Sequence, residues 1–234
     1  MSDSVKAIIF AAVLSVVCCV LITAACTGLK KYQVANEILD RQINIVKSVG
    51  LIDENQKYKK EEINRLYTDN IVRAWTYPSG EIVLEEPEDD PEAIELYFLN
   101  KNEKLSALII PLKVRGLWGK IFGYLAINQD GETIKGFTVA SHAETPGLGG
   151  EIEARWFRKN FAGKKILDKN GKIISVTVAK GLAKDCVSAD LLPYYVDGIS
   201  GATLTGNFLS TGIKDTLSKY EILLKKLKTT GKIM

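Results

Sequence analysis

A polar segment near the carboxyl end of the sequence has the residue types of a phosphate-binding site. Residues 197–205 read DGISGATLT and lead into a stretch with helical periodicity. A helix begins with unpaired backbone N–H groups and partial positive charge, which favour a phosphate. Gly201 and Ala202 would allow close approach, and the hydroxyl of Thr203 could be esterified there. In the simpler interpretation, Ser200 caps the helix and Thr203 is unmodified, because capping is far commoner than anion binding.

A second loop has the composition of a site for a flat ligand. Residues 142–151 read HAETPGLGGE, and the glycines would let backbone amides face a ligand at close range. The alternative is a plain connection from a strand to a helix, with Glu151 near the helix N-terminus. Neither loop matches the dinucleotide fingerprint or the phosphate-binding loop of nucleotide hydrolases, so direct NADH binding is not predicted.

Composition and charge limit the other kinds of chemistry. Of the 234 residues, 46% are hydrophobic and 25% are charged, which is the balance of a folded protein. The net charge of +3, with the two signs interleaved, predicts no nucleic-acid partner. The four cysteines lack metal-ligand spacing, and the one histidine, His142, leaves a zinc site short of ligands. We therefore predict no metal.

The elements that position these loops begin with an N-terminal anchor, predicted over residues 1–29. Residues 7–25 carry no charge, and this run is long enough for a helix to cross a bilayer. A cleaved signal peptide is the alternative, but the run exceeds the usual apolar core of such peptides. A third interpretation makes Cys26 an acylated N-terminus, although Thr23 fits that processing signal poorly. We predict an uncleaved single span.

A stalk helix and a charged variable region are predicted over residues 30–105. Residues 32–49 have apolar positions on one helical face, and Gly50 ends the pattern. Residues 85–92 read EEPEDDPE, and two prolines among six acids cannot build a core. We predict an exposed loop there rather than a substrate site.

Residues 106–234 are predicted to form the folded domain. The runs ALIIPLKV, IFGYLAI, IKGFTVA and KIISVTVA are typical of strands, and Asp130-Gly131 and Asn170-Gly171 are hairpin signals. EARWFRKNFAG reads as a short helix between them. A long C-terminal helix follows Ile199, with one apolar face made by Leu204, Phe208, Ile213, Leu217 and Leu224. The predicted class is α+β: one transmembrane helix, then a mixed α/β domain with a largely antiparallel sheet and a long C-terminal helix.

The two loops together resemble a known family. GLWGKIFGYLAI at 116–127, HAETPGLGGEIE at 142–153 and DGISGATLT at 197–205 are similar to the C subunit of the sodium-translocating NADH:quinone reductase. The resemblance covers the anchor and most of residues 106–220, and the acidic region is not matched. It implies an electron-transfer subunit that works through bound FMN and has no catalytic acid or base of its own.

The resemblance also implies how the cofactor is held. A flavin transferase would move FMN from FAD onto Thr203 as a phosphoester, with Asp197 as part of its recognition signal. Lys180 could pair with the flavin phosphate, although a solvated lysine is the simpler interpretation. The remaining implied pocket residues are Ser200, Gly201, Ala202, Glu144, Thr145, Leu148 and Gly149.

Partners and location follow from the same resemblance. The implied partners are the other subunits of a membrane complex, including iron–sulfur and flavin subunits, and the assembled complex would oxidise NADH, reduce ubiquinone and move sodium. The implied location is the bacterial inner membrane with the domain on the periplasmic side. Lys30 and Lys31 against Lys6 weakly favour the opposite orientation, and we side with the family because the difference is slight.

Two other functions stay open at this point. The G subunit of the Rnf complex, a ferredoxin:NAD oxidoreductase, shares the ETPGLG loop and a threonine-linked flavin, although GLW at 116–118 and GEI at 150–152 look more like the C subunit of the sodium pump. A non-redox, membrane-tethered envelope binding module, in which Ser200 to Thr203 only cap a helix, is the alternative from another class.

Overall fold

The computed structural model describes residues 2–101 and 104–231. The predicted segments 1–29, 30–105 and 106–234 each include residues that lie outside the described ones. These are residue 1, residues 102–103 and residues 232–234. The chain falls into two compact units, Met1–Asp40 and Arg41–Met234.

The first unit consists of one helix. It belongs to α1 (Asp3–Ser48), whose most apolar window has a mean hydropathy of 2.9 and no buried residue. By length and composition this helix can cross a membrane, as the uncharged run at 7–25 predicted. Exposed apolar side chains along a continuous helix fit lipid contact better than contact with water. The fold prediction of an N-terminal apolar helix is confirmed.

One six-stranded antiparallel sheet is the centre of the second unit. Its spatial order is β2-β1-β3-β4-β5-β6, so most strands lie beside their neighbours in sequence. The Asp130-Gly131 turn joins the last two strands, as predicted. The strands are β1 (Ile71–Thr76), β2 (Ile82–Val83), β3 (Ile94–Lys101), β4 (Lys104–Arg115), β5 (Lys120–Asn128) and β6 (Ile134–Ser141).

Both faces of the sheet are covered. On β4, Leu108 and Ile110 point into one apolar cluster and Ala107 and Ile109 into another, which explains why this strand reads as a continuous apolar run. The C-terminal end of α1 covers one face and helices near the carboxyl terminus cover the other. The remaining elements are α2 (Lys60–Asn70), α3 (Arg155–Lys159), α4 (Ala183–Cys186), α5 (Thr203–Lys219), α6 (Glu221–Thr230), a parallel pair β7 (Thr177–Val178) and β8 (Tyr195–Val196), and 3-10 turns at Gly149–Glu153 and Leu192–Tyr194.

The sheet begins earlier than the sequence predicted. Strands β1 and β3 lie within the region read as charged and variable, and Tyr97 and Phe98 of β3 are buried on opposite faces. The acidic run at 85–92 is exposed and connects β2 to β3, as predicted for that segment. Its charge obscured the strand signals on either side.

Two other predictions differ from the structure. The C-terminal helix is broken at Tyr220, whose ring is buried and whose hydroxyl donates to the carbonyl oxygen of Glu95 at 2.7 Å. The predicted strand KIISVTVA is a strand only at β7, because Ser175 has a φ of 72° and the carbonyl oxygen of Ile166 accepts from both Ile174 and Ser175.

A carboxylate fastens α6 to the turn between β5 and β6. Glu132 contacts Lys165 and Lys228, each at 2.8 Å. The hydrogen bond from Lys165, followed by that from Lys228, outweighs burial and holds the pKa of the Glu132 carboxyl below its ordinary value of 4.5. The ion pairs therefore stabilise the fold fully above about pH 4.5 and lose their contribution as the pH falls through the lowered pKa.

Glu132→Gln should lower the free energy of unfolding at neutral pH and flatten its decline in acid. Urea unfolding of the full-length protein in detergent, followed by tryptophan fluorescence between about pH 3 and pH 7, measures both effects. Glu88→Gln, in the exposed acidic loop, is the control and should keep the original pH profile. Identical profiles for the two variants would contradict the role assigned to Glu132.

Candidate functional site

The two loops identified from the sequence meet at one cavity of about 340 Å³. Three elements supply its walls: the turn between β4 and β5, the loop after β6, and the start of α5. Its size is within the usual range of small-molecule sites. The lining residues are Leu117, Trp118, Glu144, Thr145, Leu148, Gly149, Gly201, Ala202, Thr203, Leu204 and Thr205.

Most of the residues implied by the resemblance line this cavity, and four further lining residues were not assigned to it. These four residues are Leu117, Trp118, Leu204 and Thr205. A signal for Thr205 existed, because it lies four residues before Leu209 on the buried face of α5. Leu117 and Trp118 come from a turn whose position is set only by tertiary packing.

The turn at 197–202 leads into α5 without a side-chain cap. Gly201 has a φ of 73°, which glycine adopts at no steric cost, and Ala202 occupies the cap position with no side-chain hydrogen bond. Ser200 is exposed and does not cap the helix, so the capping role that the simpler interpretation gave it is wrong. Thr203 is the first residue of α5, and its side chain is exposed at the cavity.

Asp197 and Lys180 lie outside the cavity lining. The Oδ1 atom of Asp197 accepts the backbone N–H of Ala183 at 2.7 Å, and this hydrogen bond joins the turn at 197–202 to the start of α4. Lys180 is exposed on the adjoining segment, where Gly198 donates its N–H to the carbonyl oxygen of Gly181 at 2.7 Å. Asp197 therefore supports the turn through its hydrogen bond to Ala183. Lys180 lies on the surface beside the turn.

Glu144 joins the three walls of the cavity. Its side chain is 4% exposed, and its Oε2 accepts the hydroxyl of Thr205 at 2.5 Å. Its Oε1 accepts the backbone N–H of Trp118 at 3.0 Å. One carboxylate on the loop after β6 thus holds both the β4–β5 turn and the first turn of α5. Hydrogen bonds to a charged acceptor are the stronger kind, so this residue fixes the shape of the cavity.

Two glycines make room for that carboxylate. A Cβ atom at Gly149 would lie 2.6 Å from the Thr205 hydroxyl oxygen and 2.8 Å from Glu144 Oε2. A Cβ atom at Gly116 would lie 2.5 Å from Glu144 Oε1. These distances are shorter than such atoms can approach, so a side chain at either glycine would displace the carboxylate.

The loop that carries Glu144 is held at its start by His142. The Nδ1 atom of His142 accepts the backbone N–H of Glu144 at 3.1 Å, and its Nε2 lies 3.3 Å from Glu153 Oε2. These partners place the imidazole proton on Nε2. Arg158 in turn donates to the carbonyl oxygen of Glu153 at 2.7 Å. His142 therefore positions this loop.

The residues present fit a flat, partly apolar cofactor with a phosphate. Leu117, Trp118, Leu148 and Leu204 surround the cavity with exposed apolar side chains, of which Trp118 is 70% exposed. An aromatic ring system seated there would cover this surface. The start of α5 supplies unpaired N–H groups and partial positive charge for the phosphate.

Comparisons with known proteins agree with this geometry. An FMN-binding domain family matches residues 116–218. The C subunit of the Na⁺-translocating NADH-quinone reductase of Vibrio vulnificus is 33% identical over 230 residues, covering 88% of each chain. The corresponding subunit of Yersinia pestis is 31% identical over 260 residues, covering 97% of this chain and 94% of its own.

Solved structures give the same relationship. The C subunit from Parabacteroides distasonis has a TM-score of 0.70 and 30% identity, covering 84% of this chain and 96% of its own. The Shewanella oneidensis NqrC structure, with 22% identity and a TM-score of 0.69, supports the fold. These relationships do not favour the alternative of an Rnf G subunit, and they confirm the predicted α+β fold and FMN as the cofactor. The chain belongs to the family of C subunits of the Na⁺-translocating NADH-quinone reductase.

Proposed function

We propose that this chain carries FMN as a phosphoester on Thr203 and works as the electron-transfer subunit of a sodium-pumping NADH:quinone oxidoreductase. The observation that carries the proposal is the exposed hydroxyl of Thr203 at the start of α5, on the wall of the cavity. When bound, FMN supplies electron-transfer chemistry that amino-acid side chains lack. The protein's own task is to hold and orient it.

Three threonines, Thr145, Thr203 and Thr205, line this cavity. The two that lie in the first turn of α5, next to Asp197 in sequence, have different surroundings. Thr205 is 1% exposed, and its hydroxyl donates to Glu144. Thr203 is exposed, and no described residue forms a hydrogen bond with its hydroxyl. Because the flavin comes from another enzyme, the acceptor oxygen must be reachable from solvent. Thr203 meets that condition and Thr205 does not.

Attachment of FMN is a transfer reaction that another enzyme catalyses, and this chain supplies only the acceptor hydroxyl. A flavin transferase breaks the phosphoanhydride bond of FAD, the hydroxyl oxygen of Thr203 bonds to the FMN phosphorus, and AMP and the hydroxyl proton leave. Asp197 belongs to the signal that the transferase reads, and Ser200, Gly201 and Ala202 form the turn that presents the acceptor. The phosphate then lies where the partial positive charge of α5 is greatest. Lys180, on the neighbouring segment, is available as a further cation.

Electron transfer needs partners that this chain does not contain. We assign the upstream donor to an iron–sulfur subunit and the acceptor to another flavin subunit of the complex. The membrane helix within residues 1–29 keeps the FMN domain beside them. Residues 30–105 precede the predicted FMN domain at 106–234 and supply strands β1, β2 and β3 of its sheet. We place this domain on the periplasmic side of the bacterial inner membrane.

Orientation can be measured directly. A reporter that is active only in the periplasm, fused after Met234, should be active in cells, and a cytoplasm-specific reporter at the same position should be silent. The opposite pair of results would place the domain in the cytoplasm and would agree with the weak lysine bias instead.

Peptide mapping tests the site of attachment. The protein is co-expressed with a flavin transferase and digested, and the peptide that contains both threonines is fragmented in a mass spectrometer. The FMN mass should be localised to Thr203, with Thr205 unmodified. Modification of Thr205, or of neither residue, would contradict the proposal, and the second result would favour the non-redox binding module.

A further inference from the structure

We infer that Glu144 is an unneutralised buried charge in the wall of the FMN cavity and that it lowers the reduction potential of the bound flavin. The inference rests on the proposed function, because it concerns a flavin seated in this cavity. It assigns Glu144 an electrostatic role beyond its hydrogen bonds. The role is to keep electrons from accumulating on the flavin, so that they pass to the next carrier.

The surroundings of Glu144 contain hydrogen-bond donors but no cation in contact. Within residues 2–101 and 104–231, no Lys, Arg or His nitrogen forms an ion pair with its carboxylate. The two donors, Trp118 N–H and Thr205 O–H, are neutral. The close approach of Gly116 and Gly149 leaves no room for a cationic side chain beside the oxygens. A buried carboxylate of this kind is costly.

The hydrogen bonds alone do not require a charge at this position. A glutamine has nearly the same shape, its carbonyl oxygen can accept the Trp118 N–H, and its amide can donate to the Thr205 hydroxyl oxygen. An amide would hold the three walls together without the cost of burying an ion. Holding the three walls together therefore does not require a carboxylate. What the carboxylate adds is a negative charge beside the ligand.

That charge acts on whatever enters the cavity. Reduction adds electrons to the flavin, and a nearby carboxylate opposes the added negative charge more strongly where dielectric screening is weak. Screening is weak at a side chain that is 4% exposed and enclosed by backbone. A flavin ring bound in this cavity would lie against the walls that Glu144 joins, so its reduced form would be destabilised relative to its oxidised form.

Glu144→Gln separates the charge from the hydrogen bonds. The loaded full-length variant should have a more positive flavin midpoint potential in a spectroelectrochemical titration, and the difference should persist at raised ionic strength. Glu153→Gln is the matched control, because it removes a charge from the same loop at a side chain that is 66% exposed. Its shift should be smaller and should fade with salt. An unchanged or more negative potential in Glu144→Gln would overturn the inference.

Two further variants keep the test decisive. Thr205→Val keeps the charge but removes one hydrogen bond, so its potential should not rise, and a rise equal to that of Glu144→Gln would show that packing, not charge, is responsible. If Glu144→Gln takes up no flavin, Leu117→Lys brings a cation to the same cavity and should also raise the potential. No rise there would overturn the inference. Absence of FMN from the unsubstituted protein would instead contradict the proposed function.

Discussion

Thr203→Ala should abolish covalent flavin completely while the protein remains folded. The substitution removes the only atom that can form the phosphoester in the proposed reaction. Because the Thr203 side chain is exposed and alanine is a good helix former, the free energy of unfolding should change by less than about 0.5 kcal/mol. Intact mass after co-expression with a flavin transferase measures the first effect, and thermal unfolding of the apoprotein measures the second.

Thr205→Val is the matched control for that result. It keeps the acceptor hydroxyl but removes the hydrogen bond to Glu144, so the protein should be destabilised by about 1–3 kcal/mol and should still gain FMN. Thr203→Ala should therefore lose flavin but keep its stability, whereas Thr205→Val should lose stability but keep its flavin. Full flavin loading of Thr203→Ala would contradict the assignment of the acceptor.

Gly198→Ala should both destabilise the fold and reduce flavin attachment. An added Cβ atom would overlap the backbone carbonyl oxygen of Ala179, and Gly198 also donates its N–H to Gly181 across the same contact. Backbone on both sides cannot yield without moving the acceptor turn that contains Asp197 and Thr203. We expect a loss of about 1–3 kcal/mol in the free energy of unfolding. The flavinylated fraction, read from intact mass, should fall with it.

Gly181→Ala is the control for that substitution. It lies across the same contact, but the nearest atom to its added Cβ is the Sγ of Cys186, at an ordinary distance of 3.8 Å. Its stability and flavin content should stay close to those of the original protein. Equal flavin loading and equal thermal stability of the two alanine variants would contradict this prediction. That result would show that the acceptor turn can move without loss, despite the close contact between Gly198 and Ala179.

The cavity could be predicted from the sequence in part. Glu144 lies in a glycine-containing loop and Thr203 follows another, and the glycines together with the family resemblance identified both residues from the sequence. The partner of Glu144 was not identified, because the bond to Thr205 joins residues 61 positions apart and depends on how α5 packs against the sheet. The place of Trp118 in the cavity wall depends in the same way on the β4–β5 turn folding over the loop.

The fold was predictable where local pattern and tertiary environment agree. Strands β4, β5 and β6 are rich in β-branched and aromatic residues, and the turn between β5 and β6 is marked by Asp130-Gly131. Strands β1 and β3 were missed because the acidic run at 85–92 dominates the composition around them. The break at Tyr220 could not be foreseen, since it accompanies a hydrogen bond to Glu95, which lies 125 residues earlier.

The intact mass of the unsubstituted full-length protein tests covalent flavin attachment most directly. After co-expression with a flavin transferase, the mass of the denatured chain should exceed the mass calculated from its sequence by that of one FMN minus one water. The chain should also remain yellow in denaturant. Expression without the transferase should give the unmodified mass. If the co-expressed chain also has the unmodified mass and loses its colour on denaturation, Thr203 is not a flavin acceptor, and the proposed covalent attachment is wrong.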